Sequence, residues 1–207
     1  MLYQLLTLTL LTLLTTAQVP TPFHFKLLSN TNATLNNTSL YACHSGAAES
    51  SLCWSPHALT TQFLFTSLKT NYSALPSPTA DIGKITHNFT YANGWAWQIV
   101  NLAFDPVTNI ALPGVNFRSG FDVFGFDGEG LLVIWAARDE RGGFLPVRRA
   151  VRWWAVCEGV TWSGYRYTML SWVVGGGVPV DLGCWGVNVT RVFEGVEGVV
   201  VPDGGRG

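Results

Sequence analysis

Residues 85–100 read ITHNFTYANGWAWQIV, and this stretch decides the fold class. Apolar and polar side chains alternate with a period of two along its first half, as in a half-buried β-strand. One face carries Ile85, His87, Phe89 and Tyr91, and Ala92-Asn93-Gly94 supplies a turn of the kind that joins hairpin strands. We therefore predict a β-hairpin whose face with Phe89 and Tyr91 points inward and whose His87 is buried.

The opposite face of this strand carries Asn88, which begins an Asn-x-Ser/Thr acceptor for N-glycosylation. A glycan needs solvent, so the acceptor supports an outward direction for Asn88 and an inward one for its neighbours. Six such acceptors occur in the chain, at Asn32, Asn36, Asn37, Asn71, Asn88 and Asn188. Asn36 and Asn37 overlap, and we expect about half of the acceptors to be used.

The same alternation recurs along the chain, and no window of twelve or more residues has a sustained apolar stripe at helical spacing. A second hairpin is predicted over Phe121–Ala137, with its turn at residues 127–130. Other strands are predicted near residues 23–27, 40–43, 62–68, 149–157, 165–174 and 184–193, and residues 70–83 as a surface loop. The pattern predicts an all-β antiparallel sandwich of about eight to ten strands, with little or no helix apart from a signal peptide.

The first residues indicate export. Residues 5–14 form an uncharged apolar run that suits a signal peptide and is too short to span a bilayer. Thr15 and Ala17 offer small side chains before a cut, so we expect residues 1–17 to be removed; an uncleaved anchor is the alternative. Residues 18–194 are then one domain, residues 195–207 are a disordered Gly-rich tail, and the mature protein is extracellular.

The charge composition narrows the choice of partners. Charged residues make up 12% of the chain and the net charge is −1. This composition does not indicate a wide basic surface that could bind a polyanion. We therefore expect no nucleic acid partner, no membrane association after signal cleavage and a monomeric protein. The sequence also predicts no cofactor and no metal.

The chain has four cysteines, at positions 43, 53, 157 and 184. An even number of cysteines in a protein that enters the oxidising secretory pathway predicts disulfides. Three pairings are possible, and we favour Cys43–Cys53 with Cys157–Cys184 because they close the two shortest loops. The alternative is zinc bound by Cys43, Cys53, His44 and His57, whose spacing matches no standard site.

A family resemblance rests on the last quarter of the chain. It is carried by Trp154-Ala-Val-Cys157, by residues 165–172 ending in Leu170-Ser-Trp172, by Pro179 and by Cys184-Trp-Gly-Val187. This order resembles a family of uncharacterised small secreted proteins of ascomycete fungi. The resemblance implies an extracellular β-sandwich of unknown function.

No catalytic motif is present in the sequence. Asp122, Asp127 and Glu129 form the closest carboxylate cluster, and two nearby carboxylates would suit a glycosidase. We interpret Asp127 and Glu129 instead as residues that shape a hairpin turn. The histidines, His24, His44, His57 and His87, form no triad by spacing.

Aromatic residues offer the best candidate binding surface, since nine tryptophans exceed what a core requires. A period of two places Arg149, Val151, Trp153 and Cys157 on one face of residues 148–157, and Arg148, Arg152 and Trp154 on the other. We predict an exposed Trp154 beside Arg152, joined by Tyr165 or Tyr167 from a neighbouring strand. The competing interpretation places these tryptophans in the core.

The sequence favours a secreted, disulfide-bonded, non-enzymatic binding module, effector-like or associated with a cell wall. Its expected partner is a glycan or a host or cell-wall protein. The alternative is a small secreted hydrolase that uses Asp, Glu or His side chains brought together by loops. One conflict remains, because Asn188 and Cys184 share a parity and a single strand cannot place a glycan outside and a disulfide inside without a bulge.

Overall fold

The structure is a computed structural model that describes residues 20–57, 59–67, 80–105, 108–117, 124–139, 143–162, 164–174, 179 and 182–194, without the side chains of residues 136–139 and 143–149. The predicted signal peptide and tail, the Asn71 acceptor, Asp122 and the Arg148 side chain lie outside this description.

The described residues form fourteen β-strands and no helix. They are β1 (Phe23–Leu28), β2 (Leu40–Gly46), β3 (Glu49–Trp54), β4 (Phe63–Ser67), β5 (Ala80–Tyr91), β6 (Gly94–Phe104), β7 (Ile110–Asn116), β8 (Phe124–Asp127), β9 (Leu132–Asp139), β10 (Gly143–Val151), β11 (Trp154–Trp162), β12 (Tyr165–Val173), β13 (Gly183–Gly186) and β14 (Asn188–Phe193). The all-β antiparallel prediction is confirmed. The count exceeds eight to ten because β3 and β7 were not foreseen and two predicted strands are each divided in two.

The strand β5 joins the two halves of the antiparallel sheet. Gly83 pairs with Phe124 of β8 on one edge and with Ser67 of β4 on the other, and further along His87 pairs with Gln98 of β6 and Phe63 of β4. From β5 the ladder continues to β9 and β10 one way, and through β6, β7, β3, β12 and β11 to β13 the other way. This arrangement is consistent with a sandwich whose two layers share β5.

Glycine permits the close approach of strands at this junction. A Cβ on Gly83 would lie 2.2 Å from the Thr66 carbonyl oxygen, and one on Gly125 would lie 2.7 Å from the Asp81 carbonyl oxygen. The prediction of a loop up to residue 83 is wrong for residues 80–83. These residues pair with β8, and a partner that distant in sequence leaves no local signal.

A cluster of phenylalanines fills one end of the core. Phe23, Phe25, Phe63 and Phe126 are all buried, and the ring of Phe23 meets those of Phe25 and Phe126 edge to face at 5.2 and 5.7 Å. Each such pair adds about 0.5–1.5 kcal/mol beyond the burial of its area. The alternating burial of β1 confirms the first predicted strand.

Both favoured disulfides are present. Cys43 and Cys53 link β2 to β3, and Cys157 and Cys184 face one another across β11 and β13. The zinc alternative is wrong, since Cys43 and Cys53 are bonded to each other. The parity conflict is also removed, because Val187 separates β13, which pairs with β11, from β14, which pairs with β1.

Candidate functional site

The predicted exposure of Trp154 is wrong. Only 2% of Trp154 is exposed, and its indole Nε1 donates a hydrogen bond of 2.8 Å to the Leu132 carbonyl oxygen. Its ring stacks on Phe124 at 6.4 Å and meets Trp172 at 4.9 Å. The parity argument failed because β10 ends at Val151 and β11 begins at Trp154, so the alternation does not run through the two residues between them.

Arg152 is exposed but already has partners. Its guanidinium lies 2.6 Å from Asp127 and 3.0 Å from Glu129. The other carboxylate oxygen of Asp127 accepts the backbone N–H groups of Glu129 and Leu131 at 3.0 and 3.1 Å. Asp127 therefore holds the β8–β9 turn, as the sequence predicted, and both of its oxygens are engaged.

Tyr165 and Tyr167 lie at the far end of β11 and β12 from Trp154. Tyr165 pairs with Trp162, whereas Trp154 pairs with Trp172. Eight residues along a strand correspond to roughly 25 Å. Tyr167 is also engaged, since its hydroxyl donates a hydrogen bond to the His44 carbonyl oxygen. The structure thus does not bring the predicted binding residues into one surface.

A shallow pocket of about 290 Å³ does lie beside Arg152 and Trp154. Asn30, Thr31 and the acceptor Asn188 line its other side. Because Trp154 offers almost no accessible surface there and Arg152 is ion-paired, the pocket has little free binding chemistry.

Within the part of the chain that the structure describes, exposed aromatic side chains are concentrated at the outer end of the β5–β6 hairpin. The exposed fractions are 52% for Tyr91, 59% for Trp95, 45% for Trp97 and 50% for Phe117, which follows β7. We call residues 88–97 together with Phe117 the aromatic hairpin. Single exposed apolar residues are ordinary, but a group of exposed aromatic residues is a candidate interaction site.

The register of the hairpin divides its aromatic residues between two faces. Asn88 pairs with Trp97 and Thr90 pairs with Trp95, so these four side chains share the Trp face. The opposite side, the Tyr face, carries Phe89, Tyr91 and Phe117. On the Tyr face the rings of Phe89 and Tyr91 lie 6.5 Å apart with planes within 24° of each other, and Phe117 meets Phe89 edge to face at 6.2 Å.

The aromatic hairpin extends beyond the neighbouring strands of the sheet. The β4 ladder stops where Phe63 pairs with His87, and the β7 ladder stops where Asn116 pairs with Ile99. Residues 88–97 therefore pair only with each other. Gln98 lies at the base of the aromatic hairpin. It is fully buried, and its side-chain nitrogen donates a hydrogen bond of 2.8 Å to the Ala48 carbonyl oxygen.

Two predictions about this stretch are corrected by that geometry. Tyr91 does not point into the core, and His87 is partly exposed, with its Nδ1 3.1 Å from the Gln62 carbonyl oxygen. Alternation identifies the two faces of a strand, but a face is buried only where another layer covers it. The predicted outward direction of Asn88 agrees with its exposure.

Gly94 shapes the Tyr face. A Cβ at position 94 would meet the Tyr91 hydroxyl oxygen at 3.1 Å and the adjoining ring carbon at 3.3 Å. The phenol ring of Tyr91 therefore lies across the backbone of Gly94, its partner on the opposite strand. A flat aromatic surface next to the turn is the result.

The aromatic hairpin was missed although a signal for it exists in the sequence. The turn at Ala92-Asn93 pairs Tyr91 with Gly94, and counting outward places Trp95 and Trp97 on the same face as the Asn88 acceptor. A face that carries a glycan acceptor is a solvent face. Those tryptophans should therefore have been expected at the surface.

The electrostatics of the aromatic hairpin are neutral. Residues 85–104 contain no Asp, Glu, Lys or Arg, and the polar groups among the aromatic rings are amides and hydroxyls. In the described part of the chain, no three His, Cys, Asp or Glu side chains form a metal-binding group. The same residues include no helix long and apolar enough to cross a membrane.

Comparison with known proteins identifies a family. A family model described as a domain of unknown function, DUF7907, matches residues 20–193, and the chain belongs to that family. The expectation of an uncharacterised domain family is thereby confirmed. No curated protein and no solved structure matches the chain.

Proposed function

We propose that this DUF7907 domain is a secreted fungal glycoprotein that acts outside the cell as a non-enzymatic binding module for a neutral cell-wall glycan. The signal-peptide pattern of residues 1–17, the glycosylation acceptors and the two disulfides support the extracellular location. The resemblance to secreted proteins of ascomycete fungi supports the source.

The observation that carries this proposal is the exposed aromatic hairpin. Aromatic rings with about half of their surface in water have a large area to bury against an apolar surface. The ring faces of a neutral sugar present such a C–H surface, and its hydroxyl groups require hydrogen-bonding partners. The hydroxyl group of Tyr91 and the side-chain amide of Asn93 lie close to one another in sequence at the end of the hairpin and can supply such partners.

The composition of the site favours a neutral glycan over a protein partner. Energetically dominant residues of protein interfaces are Trp, Tyr and Arg, and charged rims commonly set their orientation. Residues 85–104 have no Arg, Lys, Asp or Glu. A ligand without charge therefore fits the site best.

The carboxylate pair that the sequence offered for the hydrolase alternative, Asp127 and Glu129, is already engaged in the structure. Asp127 is bound by Arg152 and by two backbone N–H groups, and Glu129 shares the same arginine. This cluster stabilises a turn, so binding without catalysis is the function that we propose.

A binding assay tests the proposal. The full chain, recovered from the medium of a secreting host, is incubated with insoluble neutral β-linked polysaccharides and with an acidic polysaccharide. We expect binding to the neutral polymers that weakens by about tenfold or more when Tyr91 and Phe117 are both changed to Ala. Phe104→Ala is the matched control, since Phe104 is 60% exposed and lies at the opposite end of β6.

Binding that is equal in the wild type and the Tyr91→Ala/Phe117→Ala variant would exclude the aromatic hairpin as the site. A wild-type protein that binds none of the neutral polymers, or that prefers the acidic one, would overturn the proposed ligand class.

A further inference from the structure

We infer that the Trp face is covered by the protein's own N-glycan on Asn88, and that the Tyr face is the side left for an external ligand. This inference rests on the proposed function, because N-glycosylation requires entry into the secretory route. It divides the aromatic hairpin into a self-covered side and a ligand side.

The register places the acceptor against the tryptophans. Asn88 lies directly opposite Trp97, and Thr90, the third residue of the acceptor, lies directly opposite Trp95. Directly opposite residues in an antiparallel pair have Cβ atoms about 4.5–5.5 Å apart. A sugar on the Asn88 amide nitrogen therefore begins within reach of the Trp97 ring, and Trp95 lies 5.6 Å from Trp97 for the next sugar.

Asn88 also differs from the other acceptors. The side-chain oxygens of Asn32 and Asn36 accept backbone N–H groups of Thr34 and Ser29 at 3.0 and 3.1 Å, which holds both side chains against the loop. Asn188 pairs with Leu28 and borders the pocket beside Arg152. Among the described acceptors, Asn88 alone combines exposure with an aromatic cross-strand partner.

The chemistry of attachment is simple. The Asn88 side-chain nitrogen loses a proton and bonds to the anomeric carbon of an oligosaccharide, whose lipid pyrophosphate carrier leaves. Once attached, the sugar meets the tryptophans without any cost of association, because it is tethered to the same hairpin. Two aromatic rings that otherwise face water are then partly buried.

The glycan on Asn88 would also hydrate an apolar part of the protein surface. Only 12% of residues are charged, and an apolar group such as the Trp face favours association between molecules unless something hydrates it. A glycan over Trp95 and Trp97 supplies hydroxyl groups at that place. The Tyr face has no described acceptor on it and remains free.

The test is a double-mutant cycle on protein secreted by a host that performs N-glycosylation. Mass spectrometry of the peptide that contains Asn88 first measures its occupancy, for which we expect a glycan. Thermal unfolding is then compared for the wild type, Asn88→Gln, Trp97→Ala and the double variant. We expect Asn88→Gln to lower Tm by about 2–4 °C in the wild type and to have no effect beside Trp97→Ala.

Asn188→Gln is the matched control, because its cross-strand partner is Leu28, and its effect on Tm should be the same with and without Trp97. A second measurement removes the glycan from the folded wild-type protein without any substitution. Enzymatic removal of the whole glycan should increase collisional quenching of tryptophan fluorescence, and the increase should be smaller in Trp97→Ala.

An Asn88 without sugar in the secreted protein would overturn the inference, as would additive effects of Asn88→Gln and Trp97→Ala. The inference and the proposed function fail separately. If the cycle shows coupling but the protein binds no polysaccharide, only the proposed function is wrong. If Trp97→Ala weakens polysaccharide binding as much as Tyr91→Ala, the division of the two faces is wrong.

Discussion

Trp95 and Trp97 in β6 and Trp154 in β11 all lie in strands, yet the first two are exposed to water and Trp154 packs inside. Trp154 lies in β11, which has β12 on one edge and β13 on the other, and Phe124 covers its ring. Trp95 and Trp97 lie in the part of β6 that pairs with β5 beyond the end of the β7 ladder. The position of a tryptophan within the sheet, and not its immediate sequence, decides whether it stabilises the fold or is free to bind.

The largest expected effect comes from removing the packed tryptophan. Trp154→Ala should lower the free energy of unfolding by about 3–5 kcal/mol, because it empties a core site and leaves the Leu132 carbonyl oxygen without its donor. Trp95→Ala should change that free energy by less than about 0.5 kcal/mol. Denaturant unfolding measures both free energies. Equal losses in the two variants would contradict the claim that Trp154 stabilises the fold and Trp95 does not.

The disulfides also lie in the packed part of the sheet. Cys157–Cys184 links β11 to β13, and neither disulfide includes a residue of the aromatic hairpin. From sequence separations of 27 and 10 residues, replacing the pair Cys157 and Cys184 by Ser should cost about 3.5 kcal/mol, and replacing Cys43 and Cys53 about 2.7 kcal/mol. Denaturant unfolding of the two double variants gives the order. A larger loss for the shorter loop would contradict it.

A smaller effect is expected at the Tyr face, where function and stability should separate. Gly94→Ala places a Cβ against the Tyr91 hydroxyl and ring, and because that ring is exposed it can move aside. Polysaccharide binding should weaken several-fold, while Tm stays within about 2 °C of the wild type. Unchanged binding would show that the placement of Tyr91 across Gly94 is unimportant to the ligand.

The smallest effect concerns pH and again separates the two regions. Burial lowers the pKa of His24 in β1 below 6.5, Lys26 lowers it further and Glu194 partly raises it. The unfolded chain then takes up its proton before the folded chain does, so stability should fall as pH drops through and below about 6.5. Thermal unfolding from pH 7.5 to 5 should show this slope, and His24→Gln should reduce it.

Polysaccharide binding should not follow the same pH dependence. Residues 88–104 contain no histidine and no carboxylate side chain. This part of the hairpin therefore has no side chain of the types that change charge between pH 5 and 7.5. A binding affinity that fell in parallel with the His24 transition would show that the aromatic hairpin is coupled to the core.

Parts of the candidate site were within reach of the sequence. The turn after Tyr91 fixes the register of the hairpin, and the register alone puts Trp95 and Trp97 beside the acceptor at Asn88. What the sequence cannot supply is the end of the neighbouring strands. The pairing of β4 ends where Phe63 meets His87, more than twenty residues away in sequence, so the local pattern does not show that Tyr91 extends beyond its neighbour strand.

The amino-acid sequence alone indicated that this protein is all-β and where its main hairpin turns, and it favoured the cysteine pairing that the structure shows, because alternation, turn residues and short loops act over a few residues. Only the tertiary structure decided that β5 serves both halves of the sheet, that Trp154 is core and that the aromatic hairpin is surface. Those outcomes depend on contacts between distant strands, and burial is a property of the layers that such contacts assemble.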